Sequence, residues 1–469
     1  MKMPEKKPRL PIGIKVGYGA AEGANSITFT LFYTFAMFFL TDVAKLSPAF
    51  AGTIFAVGIL WDAVTDPLVG IWSDGLKSKW GRRRPFILAI AIPFGVVTWL
   101  LFTDFNLSPA LTKAYFFALI ILYFTVYTLL ETPHLSLSAE MTQDYDERTS
   151  LVAWRTGWSQ MGSVMAGSLP LMMVAYFEQA FNSRTMGWSL MAASFGLVCV
   201  PLILLTWRTT RGYELFPEDT HPGIKDIFQA PITNRPFRIF AIAYTLALMA
   251  MTIGGGVGMY YMTYLMGFSE SQISIGLLIL FGVSILWIPV IDFVASKLGK
   301  RTAWLIFIGI WTLVQGVFIQ FVIQPGDTLL LYCIFFFAGS GLTSVYMLGW
   351  SMIPDCVEVD EYKTGQRREG LYFGFIAFIQ KGGCALAMWI LGMALSGVGY
   401  VPDVAQSERA LMGIRTILGL GEAGLLVLSI LFCYFMPITR KKHQALCEAI
   451  QLKKEGKPCD EECFADIIR

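Results

Sequence analysis

Stretches of twenty or more residues with almost no charge recur along this 469-residue chain, and nothing else constrains its fold as strongly. A helix of about 20 apolar residues crosses the roughly 30 Å of bilayer hydrocarbon. Charged or Pro/Gly-rich breaks leave about twelve such stretches, near 18–42, 49–73, 85–103, 112–136, 151–177, 187–207, 237–265, 272–294, 303–323, 328–353, 371–397 and 411–436. Lipid offers the backbone no hydrogen-bond partner, so spans must be helices or strands of a closed barrel. These runs are far longer than the roughly 9–11 residues of a barrel strand. The expected fold is therefore an all-α membrane protein of 12 transmembrane helices. Composition agrees, with 55% hydrophobic and 15% charged residues against about 45–50% and 25% in soluble chains. A net charge of +2 is too balanced for a nucleic-acid partner, and eight scattered Cys exclude a disulfide scaffold.

Lys and Arg fall in alternate loops. One side collects Lys2, Lys6, Lys7 and Arg9, then Lys77, Lys79 and Arg82–Arg84, the 208–238 segment, Lys297, Lys300 and Arg301, then Lys363, Arg367 and Arg368, and the tail from Arg440. The other side has isolated charges such as Lys45, Lys113, Arg184 and Arg409. The positive-inside rule then places both termini of an even-numbered bundle in the cytoplasm, with the chain in a plasma membrane of the bacterial inner-membrane type. The N-terminal tail shows no small-residue cleavage site, so a cleaved signal peptide is not expected.

The long polar segment between the sixth and seventh spans divides them six and six. The expected organisation is an N-terminal half at 1–207, a cytoplasmic middle loop at 208–236, a C-terminal half at 237–436 and a cytoplasmic tail at 437–469. Within the halves one signature repeats. Asp74 opens D-x4-K-x-G-[KR]-R through Lys79, Gly81, Arg82 and Arg83 after the second span, and Asp292 opens it again through Lys297, Gly299, Lys300 and Arg301 after the eighth. Two six-helix halves of the same topology resemble the parallel-repeat plan of the major facilitator fold. A carboxylate at a helix end beside a glycine turn and cations suits a conformational gate that clamps the neighbouring half by ion pairs and helix-dipole contacts. Asp74, Arg82, Arg83, Asp292, Lys300 and Arg301 are its candidates.

Ionisable residues inside spans are costly and are functional candidates by default. Asp62 and Asp66 lie four apart on the second span and share a helix face with Thr65. Two like charges at that spacing repel in low dielectric unless a cation sits between them or one holds a proton, so the pair suits Na⁺ or H⁺ as coupling ion; the plainer alternative is one Asp paired with a basic residue of another helix. Pro67 removes a backbone donor at the same place. Thr128 and Glu131 stand on the fourth span, and Arg155 on the fifth is followed by Ser159, Gln160 and Ser163. Lys381 lies ten residues inside the eleventh span before Gly382-Gly383, and its expected partner is Asp62 or Glu131. Ser26 and Tyr33 on the first span and Tyr346 on the tenth complete the substrate candidates, while Glu22 near a span end reads as snorkelling. Glu422, Gly254–Gly256 and Tyr260, Tyr261 and Tyr264 carry weaker signals. In the tail, Cys459-x3-Cys463 with Cys447 and His443 fits no strong zinc spacing, and the cysteines read as free thiols, with Leu446, Ile450 and Phe464 marking an amphipathic helix.

At these motifs the sequence resembles the glycoside–pentoside–hexuronide:cation symporter family. The match runs from about residue 15 to 437 and rests on Tyr18-Gly19, Thr41-Asp42-Val43, Trp61-Asp62-Ala63-Val64-Thr65-Asp66-Pro67 and Trp80-Gly81-Arg82. It continues through Tyr127-Thr128, Glu131-x-Pro133, Lys381-Gly382-Gly383 and the run Gly399–Ser407. The resemblance implies a cation site at Asp62 and Asp66 with Thr128 nearby, a coupling lysine at Lys381 and a sugar-contacting or coupling carboxylate at Glu131. Departures limit what carries over. Ser26 stands where the melibiose-transporting members have aspartate, Glu131 replaces aspartate, Leu135 an aromatic, Tyr346 a tryptophan and Thr65 an asparagine, so galactoside specificity does not transfer and the ion stays Na⁺ or H⁺.

No phosphate-binding loop, dinucleotide fingerprint, zinc-protease motif or nucleophile elbow is present, so no enzyme activity and no cofactor is expected. The expectation is a monomeric, cation-coupled symporter of a glycoside or sugar acid. An anionic sugar would face Arg155 and Lys381. The competing expectation is a lysolipid-like amphiphile, which the apolar Ala21 and Leu135 would suit.

Overall fold

The computed structural model describes residues 10–76, 78–142, 144–213, 231–455, 458 and 461–468. The N-terminal basic tail, Lys77, most of the middle loop and Cys459 lie outside the described residues. Among those described there are helices and no strand. The chain divides into two compact units.

The first unit holds α1 (Ile12–Leu31), α2 (Pro48–Gly75), α3 (Arg84–Leu101), α4 (Pro109–Met141), α5 (Tyr145–Ser168), α6 (Pro170–Phe181) and α7 (Arg184–Thr209). Helix starts follow local chemistry. Proline occupies the first turn of α2, α3, α4 and α6, where its missing N–H costs nothing. Asp144 caps α5 by accepting from the Glu147 N–H at 2.9 Å, and Ser183 caps α7. α1 packs against α5 and α7, α2 against α4, and α3 against α4 and α7. Small residues set the closest approaches: a Cβ on Gly95 of α3 would lie 2.7 Å from the Gly196 carbonyl of α7.

The second unit holds α8 (Arg235–Tyr260), α9 (Glu270–Leu298), α10 (Lys300–Leu313), α11 (Thr328–Thr364), α12 (Glu369–Gly397), α13 (Glu408–Thr416), α14 (Glu422–Tyr434), α15 (Arg440–Lys454) and the short α16 (Ala465–Ile468), except that the first turns of α9 belong to the first unit. α8 packs on α12 and α14, and α10 on α11 and α14. α15 is amphipathic as expected: Leu446, Ala449 and Ile450 are buried, α15 packs on α11, and Phe464 closes on the Tyr362 ring at 5.4 Å.

Among the described residues ten helices are long and apolar enough to cross a membrane, and α5 with α6, bent by 43°, makes eleven. The expected twelve also counted α1. Lys15, Glu22, Asn25 and Ser26 lower the hydropathy of that helix, and it buries Lys15, Asn25 and Ser26 within its unit. The repeated loop is visible in the backbone of both units, where Gly81 has φ 91° and Gly299 has φ 90°. That left-handed conformation is strained for a residue with a Cβ, which accounts for glycine at both positions.

Candidate ion and substrate site

α2 and α4 meet along one seam of side-chain hydrogen bonds. Trp61 Nε1 donates to Thr125 Oγ1 at 2.9 Å, Thr128 Oγ1 to Asp62 Oδ1 at 2.5 Å, and Thr132 Oγ1 to Asp66 Oδ1 at 3.4 Å. The ladder exists because 62 and 66 lie one turn apart on one face of α2, with Trp61 beside it, and 125, 128 and 132 share a face of α4. Thr65 Oγ1 lies 3.4 Å from Thr128 Oγ1 and donates to the Asp62 carbonyl at 3.2 Å. Asp62, Thr65 and Thr128 are buried and Asp66 is half-buried. Two carboxylates and three hydroxyls make a hard oxygen set that can hold a small cation or share a proton. Pro67 leaves the carbonyl one turn earlier without its helical donor, adding a backbone oxygen to the same turn. Of the sequence candidates, Asp62, Thr65 and Thr128 come together, with Asp66 one turn along.

A second polar group lies where α1, α4 and α5 converge. Asn25 Nδ2 donates to Glu131 Oε2, and the Ser26 and Ser159 hydroxyls are 2.6 Å apart. Glu22 Oε2 is 3.9 Å from Arg155 Nε and 3.7 Å from His134 Nδ1. The opposite ring nitrogen of His134 meets the Tyr18 carbonyl at 2.8 Å. Glu22 is thus no snorkelling end residue but the carboxylate facing Arg155. The close fit of α1 and α5 depends on Gly162, where a Cβ would stand 2.5 Å from the Gly23 carbonyl. Tyr33 packs on Phe29 and Phe32 with ring centroids 4.4 and 5.3 Å away.

Sequence reasoning missed His134, since one histidine on an apolar helix reads as core; its signal was its place three residues after Glu131. Lys381 and Tyr346 belong to the second unit. Lys381 is half-buried on α12, and the adjacent Gly383 admits Thr245, whose Cγ2 would lie 2.4 Å from an added Cβ. Tyr346 on α11 is exposed. Glu422 is fully buried and accepts from Gln315 Nε2 at 2.8 Å, with Gly254 making room for its carboxylate.

The repeated loops form ion pairs inside each unit. Arg83 Nη2 lies 2.7 Å from Asp74 Oδ1, and Glu140 Oε1 at the end of α4 lies 3.1 Å from Arg82 and 3.4 Å from Arg83. In the second unit Lys300 reaches Asp355 Oδ1 at 2.6 Å and the Ser351 carbonyl at 2.7 Å, while Arg301 donates to the Tyr434 carbonyl. Asp292 is exposed. The carboxylate gripping Lys300 is therefore one from α11, and Glu140 and Asp355 were not among the sequence candidates for the gate.

Each unit is helical, with carboxylates and hydroxyls buried in long apolar helices. The family model described as MFS/sugar transport protein matches residues 17–440, and the chain belongs to that family. A putative sulfoquinovose importer of Salmonella typhimurium is 27% identical, over 96% of this chain and 94% of the relative. An isoprimeverose transporter of Lactiplantibacillus pentosus is 27% identical, over 87% and 85%. The crystal structure of the nucleoside transporter NupG superposes with a TM-score of 0.65 at 16% identity, covering 90% of this chain and 98% of the other, and shows the shared major facilitator fold.

Proposed function

We propose that this protein is a secondary active symporter that couples Na⁺ or H⁺ to uptake of a glycoside, sugar or sugar acid by alternating access. The observation that carries the reading is the buried contact of the Asp62 carboxylate with Thr128, whose hydroxyl also lies beside that of Thr65, one turn from Asp66. Two carboxylates on one helix face are stabilised by a cation held between them, and an ion that favours the sugar-binding form is favoured by sugar in return. Asn25, Glu131, Ser26, Ser159 and Arg155 offer donors and acceptors suited to a polyol or an anionic sugar, with Lys381 as the coupling lysine. The names of the sulfoquinovose and isoprimeverose relatives support the sugar class. The lysine and arginine bias supports an inner-membrane location with cytoplasmic termini, and one chain supplies both halves, so a monomer suffices.

The lysolipid reading has less support. Ala21, which would flank an acyl chain, is fully buried, and its N–H donates to Thr206 Oγ1 at 2.9 Å. A thermal-shift panel of glycosides, uronides, sulfonated sugars and lysolipids, each with Na⁺, with K⁺ and at two pH values, separates the readings, because a ligand of the folded state raises the melting temperature by mass action. Stabilisation by a sugar that deepens with Na⁺ or at lower pH is expected. A response to lysolipids alone contradicts the proposal.

A further inference from the structure

His443 and Cys447 stand four residues apart on α15 and so share a face, and α11 presents Glu358 to both. His443 Nε2 is 2.5 Å from Glu358 Oε2 and 3.7 Å from Cys447 Sγ, and Cys447 Sγ is 3.2 Å from the same Glu358 oxygen. These three atoms belong to the residue types that bind zinc. Tetrahedral zinc, with bonds of about 2.0–2.3 Å, sets its ligand atoms about 3.4–3.6 Å apart. The two sulfur separations already lie close to that, and the nitrogen–oxygen separation needs to open by about 0.9 Å for the metal to replace the bridging proton.

Charge also balances. With a protonated imidazole, a neutral thiol, the Glu358 carboxylate and the neighbouring Asp355–Lys300 pair, the cluster is neutral. Binding a dication while His443 and Cys447 each give up a proton leaves it neutral again. Asp355 Oδ1, 3.6 Å from His443 Nε2, stands beside the site and already grips Lys300, so a fourth position is left to water. The site is only partly buried, with side-chain exposures of 27% for His443 and 18% for Glu358, which leaves an entry path.

We propose that Glu358, His443 and Cys447 form a zinc-class divalent metal site that ties the tail helix α15 to α11. Around it the tail is already positioned by Lys454 on Glu361 at 2.7 Å and Lys453 on the Tyr362 carbonyl at 2.7 Å. Metal would add one link at the opposite end of that contact and make tail docking depend on metal.

The test uses the full chain in detergent, reduced and stripped by chelator, titrated with Co²⁺ and then with Zn²⁺ in competition. One Co²⁺ per chain, with thiolate-to-cobalt charge-transfer absorbance and visible bands of tetrahedral intensity, is the expected result. Cys447→Ser abolishes the charge-transfer band and His443→Ala weakens affinity by about tenfold or more, while Cys463→Ser, at an exposed thiol, changes neither. Melting curves of the stripped variants establish that each is folded. Zinc also slows hydrogen exchange over Arg440–Lys454 in the wild type and not in Cys447→Ser. No saturable uptake by the folded wild type, or a charge-transfer band that survives in Cys447→Ser, overturns the proposal.

Discussion

Lys300 Nζ lies 2.6 Å from Asp355 Oδ1, and the residue at the same place in the first repeat, Arg82, lies 3.1 Å from Glu140 Oε1. One contact of the signature therefore repeats as well as its letters: in each unit the first cation after the glycine reaches a carboxylate on a later helix, whereas Asp74 pairs with Arg83 and Asp292 is exposed. The two pairs differ in burial, and burial sets their energetic weight. Glu140 and Arg82 are 1% and 14% exposed, Asp355 and Lys300 11% and 37%. Breaking a buried pair strands a charge and costs about 3–5 kcal/mol, and solvent at one partner lowers that cost. Glu140→Gln, which also faces Arg83, is expected to lower the melting temperature more than Asp355→Asn. Equal losses in differential scanning fluorimetry would contradict this ordering.

Thr128 is expected to tune ion affinity. A hydrogen bond to a charged group contributes about 1.5–3 kcal/mol, so Thr128→Ala raises the half-saturating ion concentration by about tenfold or more. Thr128→Ser keeps the hydroxyl and stays near wild type. The measurement is an ion titration of the melting temperature at saturating substrate.

Glu22 and Glu131 are expected to separate into different roles. Glu22→Gln removes the carboxylate facing Arg155 and His134 and costs about 1–3 kcal/mol of stability. Glu131→Gln retains an oxygen for Asn25 and should leave stability nearly unchanged while weakening substrate binding. Paired melting and ligand-binding curves on both variants check this.

The α1–α5 contact predicts opposite outcomes for two alanines on one helix. A Cβ at Gly162 would meet the Gly23 carbonyl at 2.5 Å, so Gly162→Ala costs about 1–3 kcal/mol and separates Ser26 from Ser159. Gly157 has nothing within 4 Å of an added Cβ, so Gly157→Ala gains about 0.4–1 kcal/mol. Melting temperatures of the two variants should move in opposite directions.

Much of this was legible before the structure because lipid penalises charge so heavily. Asp62, Thr65 and Asp66 stand out by helical spacing alone, and the Gly81 and Gly299 loops by repetition. What stayed hidden depends on which helices are neighbours. Glu22 finds Arg155 only because α1 lies against α5, and Glu140 finds the first loop only because α4 ends beside it. The tail cluster is the clearest case. Its members, Glu358 on the one hand and His443 and Cys447 on the other, are far apart in sequence, so no spacing rule within the tail could reveal it. α1 illustrates the reverse problem: its polar residues lower the very signal by which spans are recognised.

The most direct test of the central claim is uptake of the stabilising sugar into proteoliposomes under an imposed Na⁺ or proton gradient, with Asp62→Asn and Asp66→Asn beside the wild type. Gradient-driven accumulation by the wild type is predicted, with both variants losing accumulation while exchange of labelled for unlabelled sugar persists in at least one. Accumulation that survives in both variants, or wild-type flux indifferent to either gradient, would contradict the assignment of these carboxylates as the coupling-ion site.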